Sequence, residues 1–273
     1  MARLNHFKTR PKLQQIPTDE YLERLKIKKE NPALSFLKKL HRAHLQNIPF
    51  ENLDILFGKR MELDIHKFFE KIVRQKRGGI PTELNILFYH LLDGLGFNCL
   101  LVSGRNRSNG DWVPDFDIPL IIVTLEDEDY LVDVGSLSLF MEPKRMETET
   151  LQLDYNQYFR FKTDPDGRFI LQKSFNSIEF ENIYIFGLEP KEVIQFLEMF
   201  RYHQSADSSF SQEKVVFQHT TKGKVMLTDK LLLVEEKGQK TQYPILHEDD
   251  FASKLHDHFG LDYNKLFRER LDQ

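Results

Sequence analysis

The spacing of apolar residues changes once along this chain, near Phe97, and that change limits the folds open to it. Before Phe97 apolar residues recur at helical spacing, and residues 81–93 carry a continuous apolar face. After Phe97 they alternate with a period of two, and turn signals such as the DPDG of residues 164–167 separate paired strands. A mixed segment follows, and the chain ends in a helical pattern. This order is typical of an α+β protein with segregated parts.

Composition excludes several classes of function. The chain has 273 residues and a net charge of −4, so no excess of positive charge indicates nucleic acid. No apolar stretch approaches the length of a membrane span, and the first residues contain no apolar run, so we expect a cytoplasmic protein. Cys99 is the only cysteine, which excludes an internal disulfide and any multi-cysteine metal site.

The stretch RGGIPTELN at residues 77–85 is the most unusual motif. Gly78 and Gly79 permit a close approach of the backbone, and Pro81 suits the first turn of a helix, where its missing N–H costs nothing. Glu83 in that first turn complements the helix dipole. These residues predict a loop-to-helix junction, a role that requires no chemistry.

Three motifs in order resemble those of the arylamine N-acetyltransferases. RGGIPTELN is similar to the RGG-x-C-x-E-L-N motif of that family, LHRAHLQNIPFENLDIL at residues 40–56 to its IPFENL motif, and YLVDVG at residues 130–135 to the strand that carries its aspartate. A weaker likeness lies at Ser208-Ser209-Phe210. The resemblance implies a cysteine-protease-like architecture. A helical bundle would span residues 1–95 and carry RGGIPTELN, a β-barrel would span residues 96–190, and an α/β lid residues 191–273.

The resemblance also implies a chemistry, namely acetyl transfer from acetyl-CoA to arylamines or hydrazines through a Cys-His-Asp triad. In this chain the cysteine position holds Pro81, the histidine position holds Ile118, and only the aspartate position, Asp133, matches. A shift of one residue would place Asp117 at the histidine position instead. The positions implied for coenzyme A are Gly135, Ser136 and Ser209. Because acetyl-CoA is a co-substrate in the family, we expect no tightly bound cofactor and no metal.

Proline and isoleucine offer no nucleophilic or titratable atom. The hydroxyl of Thr82 would need a neighbouring base to attack. Cys99 lies beyond the far end of a helix about 20 Å long, since each helical residue rises about 1.5 Å. We therefore predict a pseudoenzyme without the cysteine-dependent activity. Two alternatives remain: an acetyltransferase that transfers the acetyl group directly, without a covalent intermediate, or a non-catalytic binding or scaffolding module.

Other candidate residues have simpler interpretations. Asp133 could orient a histidine, but a turn residue bonded to local backbone is the favoured interpretation. His41 and His44 share a helix face, which is one way to begin a metal site. With no third ligand evident nearby, packed histidines are expected.

Overall fold

Helices occupy the first part of the chain, and one of them lies at the centre of the molecule. The computed structural model describes residues 13–108, 110–137 and 140–266. The helices are α1 (Thr18–Leu25), α2 (Leu34–Asn47), α3 (Leu53–Leu56), α4 (Ile65–Phe69), which continues as a π-helix (Glu70–Arg74), and α5 (Pro81–Gly94). Every residue of α5 from Pro81 to Leu92 is buried, because its sequence is apolar on nearly all sides.

An antiparallel sheet of nine strands follows. Its strands are β2 (Asn98–Ser108), β3 (Asp111–Trp112), β4 (Ile118–Leu125), β5 (Glu128–Val132), β6 (Lys144–Arg145), β7 (Gln152–Asp154), β8 (Gln157–Thr163), β9 (Phe169–Ser174) and β10 (Glu181–Phe186). The order is β6-β5-β4-β2-β10-β9-β8-β7, with β3 beside β2. A parallel bridge from Thr148 to Phe161 brings the chain after β6 back to β8 and curls the sheet towards closure. Its inner face holds a separate apolar core.

The last part mixes helices with a second sheet. It contains a 3₁₀ turn (Val193–Phe196), α6 (Leu197–His203), another 3₁₀ turn (Ser209–Ser211), β11 (Val215–His219), β12 (Gly223–Thr228), β13 (Leu231–Glu236), β14 (Gln239–Pro244) and α7 (Glu248–Phe259). The fold class predicted from the sequence is confirmed. Whether the chain divides into domains at residues 95 and 190 stays a prediction.

A short strand from the helical part, β1 (Phe50–Glu51), completes the second sheet by pairing with β11. The next residue, Asn52, secures this junction. Its amide nitrogen donates to the carbonyl oxygens of Phe210 and Glu213, both at 2.8 Å, and its oxygen accepts from the backbone N–H of Val215 at 2.8 Å. The FEN part of the motif is therefore a structural clamp.

Across the described parts of the chain, 13–108, 110–137 and 140–266, no helix has the length and apolar character that crossing a bilayer requires.

Candidate functional site

Pro81 occupies the first position of α5, as the sequence predicts, and it is buried. The residue before it, Ile80, is extended, and its N–H donates to the Glu83 carboxylate at 3.0 Å. Gly135 packs directly against the proline, since a Cβ placed on Gly135 would lie 2.6 Å from the Cα of Pro81. The start of α5 and the loop after β5 therefore meet at van der Waals contact, with no gap between them.

A network of buried charges holds the loop that leads into α5. The Arg77 guanidinium lies 2.7 Å from Glu51 Oε1 and 2.8 Å from Asp54 Oδ1. Lys71 Nζ lies 3.0 Å from both carboxylate oxygens of Glu83 and 2.9 Å from Asp54 Oδ2. The acidic residue of the FENL motif is thereby joined to the arginine and glutamate of RGGIPTELN.

The balance of burial and charge fixes the protonation states in this network. Burial favours neutral Lys71, but Asp54, Glu83 and Glu51 outweigh it and raise the pKa of the amine. Burial would raise the pKa of Asp54, yet Lys71 and Arg77 hold it below its usual range. For Glu83 burial prevails, and its pKa is raised. The cations stay charged, so the network locks the loop in place.

Asp133 is the centre of a second buried cluster at the end of β5. One of its oxygens, Oδ1, accepts from Asn85 Nδ2 at 2.7 Å and from the N–H groups of Gly135 at 2.9 Å and Ser136 at 3.2 Å. The other oxygen, Oδ2, accepts from the Tyr184 hydroxyl. The bonds from the backbone of Gly135 and Ser136 are the local bonds of a turn residue, the interpretation of Asp133 that the sequence favours. All the bonds together satisfy both oxygens of the carboxylate.

Tyr184 stays protonated in this arrangement. Burial raises the pKa of its phenol well above the usual value, and the nearby Asp133 carboxylate raises it further. Ser136 Oγ lies 2.8 Å from the same hydroxyl. The phenol has one proton, which it donates in a hydrogen bond to the Asp133 carboxylate, so the Ser136 hydroxyl donates to the phenol oxygen. Tyr184 is thus a fixed donor to Asp133 at neutral pH.

Ile118 begins β4 and is 1% exposed. It pairs with Gly104, and a Cβ on Gly104 would lie 2.9 Å from Cγ2 of the isoleucine, so the side chain is held by close packing in the core of the barrel. Asp117, the alternative from a shifted alignment, bonds elsewhere. Its carboxylate lies 3.2 Å from His203 Nε2 and accepts from Asn106 Nδ2 at 2.6 Å.

Aromatic side chains from separate parts of the chain pack around this region. Phe116 meets Phe196 edge to face with ring centroids 5.3 Å apart. Phe210 lies 5.9 Å from the ring of Phe50. These rings belong to or pack on the core cluster that includes Ile80, the neighbour of Pro81. These aromatic rings are therefore part of the same core as the residue before Pro81.

The remaining candidates do not form a group with Pro81 that could replace the missing nucleophile and base. Cys99 is fully buried in β2, with its sulfur 4.0 Å from the carbonyl oxygen of Tyr89. Tyr89 is eight residues along α5 from Pro81, a distance of about 12 Å along the helix. Thr82 is buried at the helix start. Ser209 is exposed in its 3₁₀ turn, whereas Gly135 and Ser136 join the Asp133 cluster.

Both predicted histidines are packed in the interior. The ring nitrogens of His41 lie 3.0 Å from the carbonyl oxygens of Met141 and Asp133, and His44 Nε2 lies 3.0 Å from the Tyr21 hydroxyl. Burial lowers the pKa of His41 to about 4, although its carbonyl neighbour at Met141 favours the protonated ring. As a neutral ring with one N–H, His41 donates to only one of these two carbonyl oxygens, and that bond ties α2 to the loop after β5.

Sequence reasoning missed the residues that surround Asp133. Tyr184 lies in an alternating stretch, ENIYIF, whose pattern marks it as inward-facing but does not say which residue it meets. Asn85 is a polar residue on an otherwise apolar helix. It also donates to the carbonyl oxygen of Pro119 at 2.9 Å and accepts from the N–H of Val134 at 2.8 Å, so it joins α5 to β4 and to the loop after β5. A lone asparagine in such an apolar helix was the one sequence signal that α5 bonds to other elements at this position.

With this geometry in view, comparison with known proteins identifies the family. A family model described as N-acetyltransferase matches residues 33–267. The chain belongs to the arylamine N-acetyltransferase family.

Relatives in both sequence and structure span nearly the whole chain. Arylamine N-acetyltransferase 2 of Mesocricetus auratus is 27% identical over 277 residues, which cover 90% of this chain and 94% of the relative. Arylamine N-acetyltransferase C from Bacillus anthracis superimposes with a TM-score of 0.82 at 27% identity, over 90% of this chain and 99% of that one. An arylamine N-acetyltransferase from Bacillus cereus, described as having a Cys-His-Glu catalytic triad, superimposes with a TM-score of 0.82 at 26% identity. The match covers 90% of this chain and 98% of that one.

Proposed function

We propose that this chain is a pseudoenzyme of its family, one that keeps the fold but does not transfer acetyl groups through a cysteine. The observation that carries the proposal is the start of α5. Pro81 is buried there in contact with Gly135, and the single cysteine of the chain, Cys99, contacts Tyr89, about 12 Å along the helix.

Covalent acyl transfer needs an attacking atom and a base to activate it. The Bacillus cereus neighbour is described by a triad of cysteine, histidine and glutamate. In this chain Pro81 stands at the position of the cysteine in the family motif, and Ile118 at the position of the histidine. Neither side chain can attack or carry a proton, and loss of a nucleophile costs roughly 10⁶-fold in turnover in a well-studied protease.

The hydrogen bonding of Asp133 supports the same proposal. An orienting carboxylate needs an oxygen that can accept from an imidazole N–H. Here Oδ1 accepts three bonds and Oδ2 accepts from Tyr184, and among the described residues no histidine bonds to either carboxylate oxygen. The carboxylate therefore acts as a hub that joins β5, α5 and β10.

Two measurements test the loss of activity. The purified chain is incubated with acetyl-CoA and an arylamine or a hydrazine, free coenzyme A is followed, and intact mass is recorded. We expect no release above a buffer blank and no protein that has gained an acetyl group, while the Bacillus cereus enzyme gives both. Turnover without an acetylated protein would instead support direct transfer, and turnover with one would contradict the proposal.

Restoring the two positions tests whether they alone account for the loss. The double change Pro81→Cys with Ile118→His is compared with Pro81→Ser with Ile118→His, which has the same bulk but lacks the thiol. An acetylated protein from the first variant only would show that the scaffold still admits acetyl-CoA. If the folded thiol variant remains unmodified, the two substituted positions are not the whole cause, and the scaffold has also lost access for the donor.

A further inference from the structure

A cavity of about 560 Å³ lies away from Pro81 and the Asp133 cluster. It is bounded by the end of α2, the turn between β7 and β8, and strands β11 to β13. Its wall includes Arg42, Gln46, Tyr155, Asn156, His219 and Glu235. This volume falls within the range of small-molecule sites, which are typically about 300–1,000 Å³.

Two buried polar atoms in this wall have no hydrogen-bond partner among the residues described. The first is Glu235 Oε2, in a residue that is 6% exposed. Lys224 Nζ lies 3.6 Å from it and Lys240 Nζ 4.0 Å, which is ion pairing beyond hydrogen-bond length. The second is His219 Nε2. An unmet buried acceptor is costly, so a ligand hydroxyl that donates to Glu235 would be stabilised there.

His219 presents a neutral ring to the cavity. Burial lowers its pKa to about 4, and the positive charge of Lys224 lowers it in the same direction. At neutral pH the ring therefore offers one donor and one acceptor, as an uncharged polar ligand requires.

Tyr155 supplies an aromatic surface at the same cavity. It follows Asp154 in the two-residue turn between β7 and β8, its side chain is exposed, and its backbone is left-handed with φ of +59°. A non-glycine residue costs about 1–2 kcal/mol in that conformation. Strain of this kind clusters at functional sites. An exposed ring held in a strained turn is well suited to stack on a flat ligand face.

Each charged side chain of the wall has an opposite charge beside it. Arg42 is paired with Glu142 at 2.5 Å, Asp154 is paired with Lys144, and Glu235 lies near Lys224 and Lys240. No charge in the wall is therefore left without a counter-charge to attract a phosphate or an ammonium group. The wall also contains amides and hydroxyls at Gln46, Asn156, Gln157, Thr220 and Thr221, and the apolar side chains of Met141 and Leu153.

We propose that this cavity binds a neutral sugar ring, whose hydroxyls bond to Glu235 and His219 and whose face stacks on Tyr155. Several hydroxyls around one ring match polar groups spread around the wall, whereas an arylamine has too few polar atoms to do so. This site lies outside the Pro81 region, so the inference does not depend on the loss of acetyl transfer.

Ligand-observed NMR tests the proposal with the full chain. The probes are the methyl glycosides of glucose, galactose, mannose and N-acetylglucosamine at millimolar concentration. We expect saturation transfer to at least one of them. Glu235→Gln and Tyr155→Gly should each weaken that binding about tenfold, the loss of one good contact. The matched controls, Glu236→Gln on the same strand and Tyr243→Ala on an exposed edge, should leave it unchanged.

The variant Tyr155→Gly distinguishes a loss of binding from a loss of folding. Glycine relieves the left-handed strain, so the free energy of unfolding should not fall while binding does. No saturation transfer with any glycoside, or equal binding by the Glu235 and Glu236 variants, would overturn the proposal. Binding of 4-aminobenzoate or coenzyme A that Glu235→Gln weakens, without any glycoside binding, would overturn it as well.

Discussion

Removal of the Arg77 guanidinium should destabilise the protein far more than removal of a comparable surface arginine. The change Arg77→Met keeps the length of the side chain and leaves Glu51 and Asp54 without their shortest charged contacts, at 2.7 and 2.8 Å. Glu51 is fully buried. Breaking one side of a buried ion pair costs about 3–5 kcal/mol, because a carboxylate is left in a medium that solvates it poorly.

Lys71 limits that loss, since it remains 2.9 Å from Asp54 but 3.9 Å from Glu51. We therefore expect about 3 kcal/mol, the lower end of the range. In a chain of this size such a loss corresponds to a fall in Tm of roughly 6–12 °C. Adding Glu51→Gln to Arg77→Met should recover part of it, because the uncompensated charge is then gone.

The assay is urea unfolding followed by circular dichroism, with Arg74→Met as the matched control. Arg74 also contacts two carboxylates, those of Glu20 and Glu70, but its side chain is 50% exposed. Exposed pairs contribute about 0–1 kcal/mol. If the Arg74 and Arg77 variants lost equal stability, burial would not be what gives the Arg77 network its strength, and the reasoning would fail.

Two further predictions concern backbone packing and pH. Gly78→Ala should cost about 1–3 kcal/mol in urea unfolding, because its Cβ would lie 2.0 Å from the carbonyl oxygen of Pro49, whereas Gly187→Ala has open space and should be nearly neutral. His41 has a pKa of about 4 when folded and about 6.5 when unfolded, so the unfolded chain binds its proton first as pH falls. His41 alone should contribute about 2 kcal/mol to the loss of stability from pH 7 to 5, a contribution that His41→Gln removes and that His256→Gln, at an exposed site, leaves in place.

Local signals predicted the elements well. The helix expected over residues 81–93 is observed as Pro81–Gly94, and the turn at residues 164–167 joins the expected pair of strands. Each depends on neighbours in sequence, such as the proline at a helix start or a glycine at a left-handed position. The pairing of β1 with β11 was not predicted, because a two-residue strand has no periodicity to detect.

The candidate site was predictable only where a residue's role depends on its neighbours in sequence. Pro81 and Glu83 take the first-turn roles that their chemistry favours. The Tyr184 bond to Asp133 joins residues 51 positions apart, and nothing local to either residue specifies the other. The contact of Pro81 with Gly135 likewise forms only in the assembled chain.

The clamp made by Asn52 has a kinetic consequence. Its partner Val215 lies 163 residues later in the sequence. Strand β1 therefore cannot pair with β11 until most of the chain has left the ribosome. Contacts so distant in sequence slow folding, because a large loop must close before they form. Until then Phe50 and Glu51 can pair only with Gly79, on the side that faces away from β11.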